Sequence, residues 1–126
     1  MTSASKNKRK FRKQRAYRRG LIAEKAALLF LLVKGYRLLQ LRYKKPVGEV
    51  DLLLRKGKTL VAVEVKLRET EEAALLAIGN IQKRRIRNAC AQYVTENPQF
   101  SSYDVRFDVV VITRFFKIPL HIENAW

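Results

Sequence analysis

Residues 48–66 predict a single β-hairpin, and this hairpin constrains the fold more than any other segment of the sequence. Two stretches of mostly Val, Leu and Ala flank a turn at Lys56-Gly57-Lys58. Gly57 supplies the positive φ that a two-residue type II′ turn needs at its first central position. Both faces of the two strands are largely apolar, which is typical of strands that other elements cover on both sides. The sequence therefore predicts two central strands of a sheet.

The same hairpin brings acidic residues and a lysine together. With the turn at residues 57 and 58, Asp51 faces Glu64 and Glu49 faces Lys66. Two opposed carboxylates have Cβ atoms roughly 4.5–5.5 Å apart and repel each other unless a cation lies between them. Mg²⁺ or Mn²⁺ suits this position because hard cations prefer carboxylate oxygen. Asp51 and Glu64 are therefore the predicted metal ligands, and Lys66 is placed to orient or deprotonate a water or to neutralise charge on a phosphate.

A second interpretation of these residues is a solvated strand face. Acidic and basic side chains on one face often form cross-strand ion pairs at a surface. The apolar neighbours favour the metal site instead, because charges are rare in strands buried on both faces unless they are paired or bound to metal.

Composition limits the chemistry and indicates the partner. The chain has 126 residues, enough for one domain with its own core, and a net charge of +16, so a polyanion such as nucleic acid is expected to bind. Cys90 is the one cysteine, which excludes an internal disulfide. His121 is the one histidine, which leaves no zinc-site spacing and no convincing Ser/His/Asp or Cys/His triad. Carboxylates, lysine and a hard metal remain.

The first 19 residues carry nine basic residues and no acid. Such a segment predicts a disordered basic tail, because like charges and few apolar groups oppose packing. One role is to contact phosphates without reading sequence, with Phe11 and Tyr17 stacking on bases. The alternative role is that of a solubilising terminus.

The apolar run from Ala26 to Val33 does not predict a signal peptide or a membrane span. It is far too short to cross a bilayer, and no small-residue cleavage site follows it. We expect a cytoplasmic protein that does not enter membranes, with an organellar transit peptide as the alternative.

Residues 20–126 predict a single α/β domain. A helix should end at Gly35, a second helix should stop at Asn97-Pro98, and strands should lie between and after them. The expected bounds are Gly20 to Lys34 and Glu71 to Glu96 for the helices, and Tyr36 to Tyr43, the hairpin, Tyr103 to Thr113 and an edge strand within Ile118 to Trp126 for the sheet.

Each predicted helix carries polar residues with a candidate role. Glu24 falls within the apolar stripe of the first helix, so its carboxylate should face inward and need a partner, and we expect it to lie around one point with Asp51 and Glu64. Gln82 is the polar member of the apolar stripe of the second helix. Beside it, Lys83, Arg84 and Arg85 form either a phosphate-binding ridge or a solvated face. Structural roles are expected for four further residues: Cys90, Asp108, His121 and Trp126.

The motifs, taken in order, resemble a known family. They are Gly20-x-x-Ala23-Glu24, Lys34-Gly35-Tyr36-Arg37-Leu38, Val47-Gly48-Glu49-Val50-Asp51-Leu52, Val63-Glu64-Val65-Lys66-x-Arg68, Arg106-Phe107-Asp108-Val109-Val110 and His121-Ile122-x-Asn124-Ala125. This order resembles the YraN family, a bacterial group predicted to be endonucleases similar to archaeal Holliday junction resolvases and PD-(D/E)xK nucleases.

The resemblance implies a restriction-endonuclease-like fold, with a mixed central sheet of four to five strands flanked by helices. It assigns Glu24 as the acid of the first helix, Asp51 as the metal-binding aspartate, Glu64 and Lys66 as the ExK pair, and Gln82 as a substrate contact. Ala23 departs from the family, in which many members have Gly.

The implied activity is Mg²⁺- or Mn²⁺-dependent hydrolysis of phosphodiester bonds in DNA, including branched or structured substrates. Junction resolution needs two symmetric cuts, which a homodimer would provide. The alternative function is a non-catalytic basic module that binds DNA or RNA.

Overall fold

The structure is a computed structural model that describes residues 2–114 and 117–126. The helices are α1 (Ser3–Val33), α2 (Glu71–Leu76) and α3 (Asn80–Glu96), and a short 3₁₀ turn spans Pro98–Phe100. The strands are β1 (Arg37–Lys45), β2 (Gly48–Lys56), β3 (Thr59–Leu67), β4 (Asp104–Ile112) and β5 (Leu120–Ile122).

The strands form one mixed sheet in the order β1-β2-β3-β4-β5. The first three strands are antiparallel neighbours, β4 runs parallel to β3, and β5 is antiparallel to β4. A parallel pair needs a long crossover, which α2 and α3 supply. This arrangement confirms the predicted α/β class with a five-stranded mixed sheet, and it is consistent with a restriction-endonuclease-like fold.

The β2–β3 hairpin has the predicted register. Gly57 has φ +59°, and the paired residues run from Leu52 with Val63 to Lys56 with Thr59. Side chains on one face pack against α1, and those on the other face pack against α3. The following hairpin residues are fully buried: Leu52, Leu53, Leu54, Leu60, Val61, Ala62 and Val63. Both faces of these central strands are therefore covered, as their composition predicts.

Helix α1 begins at Ser3 rather than at Gly20. Residues 3–19 are helical, so the prediction of a disordered tail differs from the structure. The prediction gave most weight to charge, but the segment contains no proline and consists largely of Lys and Arg, which are good helix formers. The Thr2 hydroxyl also caps the helix by accepting a hydrogen bond from the Ser5 N–H at 3.3 Å. Its predicted end is confirmed, because Gly35 follows with φ +93°.

The second predicted helix is two helices. α2 ends at Leu76, and α3 starts at Asn80 after Gly79, which has an extended backbone. A glycine inside a helical pattern favours the helix by about 1 kcal/mol less than alanine does, and tertiary packing can then break the helix there. The predicted stop before Asn97-Pro98 is confirmed.

Gly48 sets how closely α3 approaches the sheet. A Cβ atom built on this residue would lie 1.7 Å from the carbonyl oxygen of Arg85 in α3, so no residue with a side chain fits without moving backbone. This contact holds α3 against the beginning of β2, beside the acidic residues of the hairpin.

The last strands agree with the predictions. β4 lies within the predicted span, and β5 is the expected edge strand. Cys90 is on the buried side of α3, and the Trp126 ring stacks on Phe107 with ring centroids 5.5 Å apart. Across residues 2–114 and 117–126, no helix is long and apolar enough to cross a membrane.

Candidate metal centre and nucleic-acid interface

Asp51 and Glu64 lie together where the β2–β3 backbone ladder ends. The last paired residues are Leu52 and Val63, and beyond them the two carboxylates replace the ladder hydrogen bonds. The Asp51 N–H donates to Glu64 Oε1 at 3.2 Å, and the Val65 N–H donates to Asp51 Oδ2 at 2.9 Å. Each carboxylate therefore bonds to the backbone of the opposite strand, and the strands hold the two acids side by side, as the hairpin register predicts.

Glu64 sits in an environment that disfavours its charge. Glu64 is only 3% exposed. Burial, together with the nearby negative charge of Asp51, raises the pKa of Glu64 to about 9. The positive charge of Lys66 acts in the opposite direction. Gln82 of α3 donates from Nε2 to Glu64 Oε2 at 3.0 Å. The structure thus brings Gln82 to the acid pair, where it orients the Glu64 carboxyl.

Glu24 reaches the same cavity but has a partner of its own. Its Oε2 accepts a hydrogen bond from Arg42 Nε at 2.7 Å, and the guanidinium of Arg42 lies 5.6 Å from the centroid of the Tyr17 ring. Within the described residues, no three His, Cys, Asp or Glu side chains are grouped as a metal site would require. The predicted convergence of Glu24, Asp51 and Glu64 on one point is therefore not seen.

Arg42 is a site residue that sequence reasoning missed. Its backbone has φ +51°, in the left-handed region that non-glycine residues rarely adopt, and it lies in β1 between the residues that pair with Val50 and Leu52. Such conformations are held by the surrounding structure and cluster at functional sites. A single arginine in a strongly basic chain carries no signal of this role, so the sequence offered no way to find it.

The acids open into a cavity of about 440 Å³ between α1, α3 and the ends of the central strands. The cavity is open on the side of α1 because the residues that line it there, Ala16, Gly20 and Ala23, have small side chains or none. The remaining lining residues are Arg19, Glu24, Asp51, Glu64, Val65, Lys66, Leu67, Arg68 and Gln82. The predicted catalytic set thus lines a single cavity, although Glu24 does not join the carboxylate pair.

The basic lining of this site differs from the predicted ridge. Lys83, Arg84 and Arg85 do not line the cavity, and Arg85 instead pairs with Glu49 at 3.4 Å. These three residues therefore do not border the cavity that holds the acids, and their role as substrate contacts stays a prediction.

Arg19 and Arg68 line the cavity and also a neighbouring one of about 470 Å³ that includes Arg114. Sequence reasoning missed this basic track because Arg19 lies in α1, Arg68 directly after β3 and Arg114 shortly after β4, and only the fold brings them together.

A separate polar network ties the C-terminal segment to β4. Asp108 is fully buried and accepts hydrogen bonds from Arg106 at 2.8 and 2.9 Å, from the Asn124 N–H at 2.9 Å, and pairs with His121 Nε2 at 2.8 Å. Burial alone would raise the pKa of Asp108, but the hydrogen bonds from His121 and Arg106 outweigh burial and lower that pKa. The network agrees with the structural roles expected for Asp108 and His121.

Comparison with known proteins places this fold and site in a family. The model of the uncharacterised protein family UPF0102 matches residues 23–112, which include the acid pair, Lys66 and Gln82. The chain belongs to the UPF0102 family. This is the YraN family that the sequence motifs resemble, so the resemblance is confirmed at the level of the family.

Relatives in the UPF0102 family match over most of their length. The UPF0102 protein of Parvibaculum lavamentivorans is 45% identical over 111 residues, covering 88% of this chain and 83% of that protein. The UPF0102 protein of Sinorhizobium fredii is 37% identical over 115 residues, covering 91% and 93%. The UPF0102 protein of Rhizobium leguminosarum bv. trifolii is 38% identical over 120 residues, covering 95% and 98%.

Proposed function

We propose that this UPF0102 chain is a metal-dependent endonuclease that hydrolyses phosphodiester bonds in DNA, including branched or structured DNA. The observation that carries the proposal is the buried Glu64 carboxyl held against Asp51 at the bottom of a cavity with basic walls. Burying the Glu64 carboxyl beside the half-buried Asp51 costs free energy, so the presence of this pair points to a ligand of opposite charge.

The donor set fits Mg²⁺ or Mn²⁺. Asp51 and Glu64 offer carboxylate oxygens, and magnesium is usually held by one or two carboxylates together with waters and substrate phosphates. Glu24 is therefore not needed as a third ligand, and its pairing with Arg42 is compatible with the site. When bound, the cation would act as a Lewis acid that polarises the phosphate and lowers the pKa of a water.

The surrounding residues have defined tasks in this proposal. The Asp51 N–H and Gln82 fix the two oxygens of Glu64, so that carboxyl cannot turn away from its neighbour. Lys66 faces the same cavity and can stabilise the negative charge that develops on the phosphate during hydrolysis. Arg19 and Arg68 supply positive charge to hold the flanking phosphates. A homodimer would provide the two symmetric centres that junction substrates need.

A second candidate function is a non-catalytic module that binds nucleic acid. The observation that favours it is the Glu24–Arg42 ion pair, which leaves the described part of the chain without a cluster of three metal-binding side chains. This candidate predicts the same basic surface and the same binding, but no strand cleavage.

A cleavage assay with matched variants separates the two candidates. Purified chain would be incubated with Mg²⁺, Mn²⁺ or EDTA and labelled linear, four-way-junction and single-stranded DNA, and RNA. We expect metal-dependent cutting that falls at least about 100-fold in Asp51→Asn and Glu64→Gln, because either change removes a charged oxygen ligand. Glu72→Gln, which removes an exposed acid from α2, is the matched control.

Binding measured on the same variants completes the test. Both site variants should bind DNA in EDTA at least as well as the parent chain, because neither adds negative charge: Asp51→Asn removes one, and Glu64→Gln replaces a carboxyl whose pKa burial raises to about 9. The nuclease proposal fails if no substrate is cut with either metal, or if cutting survives Glu64→Gln. The binding module would then be adopted.

A further inference from the structure

The first half of α1 projects from the sheet as a basic helix. Residues 6–20 are all exposed, and the helix runs without interruption from Ser3 into the wall of the cavity. We call residues 3–16 the arm. At 1.5 Å per residue the arm is about 20 Å long, equal to about six base pairs of duplex at 3.4 Å each.

Positive charge covers most of the circumference of the arm. Its basic residues are Lys6, Lys8, Arg9, Lys10, Arg12, Lys13 and Arg15, and it contains no acid. Because successive helical residues are about 100° apart, these side chains spread over about 220° of the circumference, and the uncharged Asn7, Phe11 and Gln14 occupy the remaining stripe. Like charges four residues apart destabilise a free helix, so the arm needs counter-charges on both sides of that stripe.

The groove of a double helix offers this distribution of counter-charge. A single strand or a flat surface would contact one side of the arm, whereas a groove presents a row of phosphates on either side of an inserted helix. The major groove of B-form DNA, about 12 Å wide, admits an α-helix. The major groove of an RNA duplex is deep and narrow, and side chains do not reach its bases.

The C-terminal end of the arm lies beside the candidate metal centre. Tyr17 contacts Arg42, and Arg42 donates a hydrogen bond to Glu24. These contacts fix α1 to the sheet directly after the C-terminal end of the arm. Two residues beyond Tyr17, Arg19 lines the cavity that holds Asp51 and Glu64. A duplex that lies along the arm therefore ends or continues at the acid pair.

We infer that the arm binds the major groove of B-form DNA on one side of the acid pair, so that the substrate carries about six base pairs of duplex next to the phosphate in the cavity. The inference rests on the proposed function for the reaction at that phosphate. It deepens that function by naming the substrate class, which is duplex-flanked DNA rather than free single strands or RNA duplex.

The test compares two variants of equal charge in the full chain. The arm variant carries Lys8→Gln, Arg12→Gln and Arg15→Gln, and glutamine keeps a good helix propensity. The control variant carries Arg37→Gln, Lys56→Gln and Lys58→Gln. These residues lie at the β2–β3 turn and the β1 end paired beside it, at the opposite end of the central strands from the acid pair.

Affinity is measured in EDTA, so that no cutting is involved, for a long DNA duplex, the matching single strand and an RNA duplex over a range of salt. On DNA duplex the arm variant should bind more weakly and lose up to about 2.7 from the slope of log affinity against log salt, at about 0.9 per lost phosphate contact. The control variant should keep the parent slope. Affinity of the parent should rise as the duplex is lengthened to about six base pairs beyond the cavity and then level off.

Two results would overturn the inference: equal changes in both variants, or an equal loss of affinity for single strands or RNA duplex. Metal-dependent cutting that does not depend on the arm would reject this inference alone. Arm-dependent duplex binding without any cutting would reject the proposed nuclease alone.

Discussion

Replacing Glu64 by glutamine should stabilise the metal-free protein at neutral and alkaline pH. The pKa of this carboxyl is 4.5 in the unfolded chain and is raised to about 9 by burial and by Asp51. A raised folded-state pKa means that the folded protein binds the proton more tightly than the unfolded chain does. The contribution of this proton to the free energy of unfolding is therefore fully present below pH 4.5 and is lost as the pH rises towards 9. Each pH unit in this window costs about 1.4 kcal/mol, which amounts to about 3 kcal/mol at pH 7 as an upper bound.

Glu64→Gln removes this cost because glutamine is neutral at every pH. Its carbonyl oxygen can accept the Asp51 N–H, and Gln82 can turn its amide to satisfy the new side chain. Urea unfolding in EDTA between pH 5 and pH 8.5 measures the effect. The two proteins should be similar near pH 5 and then diverge, with the variant more stable by up to about 3 kcal/mol at pH 7. Glu72→Gln is the control and should follow the parent chain.

Metal provides an independent check on the same protein. Mg²⁺ at 100 times its Kd should stabilise the parent chain by about 2.7 kcal/mol and Glu64→Gln much less, since the variant lacks a charged ligand. The reasoning is refuted if the variant is less stable than the parent at pH 8, or if the difference between them does not change with pH.

Three further substitutions test other parts of the structure. Gly48→Ala should cost about 1–3 kcal/mol or more in urea unfolding, because its Cβ collides with the Arg85 carbonyl oxygen; an unchanged midpoint would contradict the close approach of α3. Lys66→Ala should keep the stabilisation by Mg²⁺ but lower the cleavage rate by several orders of magnitude, and a loss confined to KM would instead indicate a binding role. Asp108→Asn should destabilise the fold by about 3–5 kcal/mol, because it leaves Arg106 without the buried carboxylate that pairs with it. Urea unfolding at pH 7 measures this loss, and a change under about 1 kcal/mol would contradict it.

The hairpin and its acid pair were predictable because both depend on local rules. Gly57 fixes the turn, and the two-residue period of the strands then decides that Asp51 and Glu64 meet. For Gln82 the apolar stripe predicted an inward-facing side chain and the family resemblance implied a substrate contact, but its hydrogen bond to Glu64 was not predicted. Short connections join the antiparallel neighbours of the sheet, and one helical crossover joins the parallel strands β3 and β4.

The errors arose where two local signals competed or where contact is distant in sequence. In residues 3–19, helix propensity outweighed charge repulsion in the structure, whereas the sequence prediction chose the reverse. The apolar pattern alone continues through residues 77–79, where α2 has ended and the extended Gly79 precedes the start of α3. The Glu24–Arg42 pair depends on a left-handed residue that is neither glycine nor asparagine, so no local rule predicts it.

The sign of the Glu64→Gln effect separates a structural acid pair from a functional one. If the hydrogen bonds from the Asp51 N–H and Gln82 existed to hold β2, β3 and α3 together, the native carboxylate would contribute stability and its replacement would destabilise the fold. If the pair exists to hold a cation, the protein without metal is destabilised by the buried Glu64 carboxyl beside the half-buried Asp51, and either the cation or the neutral variant removes that cost. A more stable Glu64→Gln protein that no longer responds to Mg²⁺ would therefore support metal binding at this pair even before a DNA substrate is known.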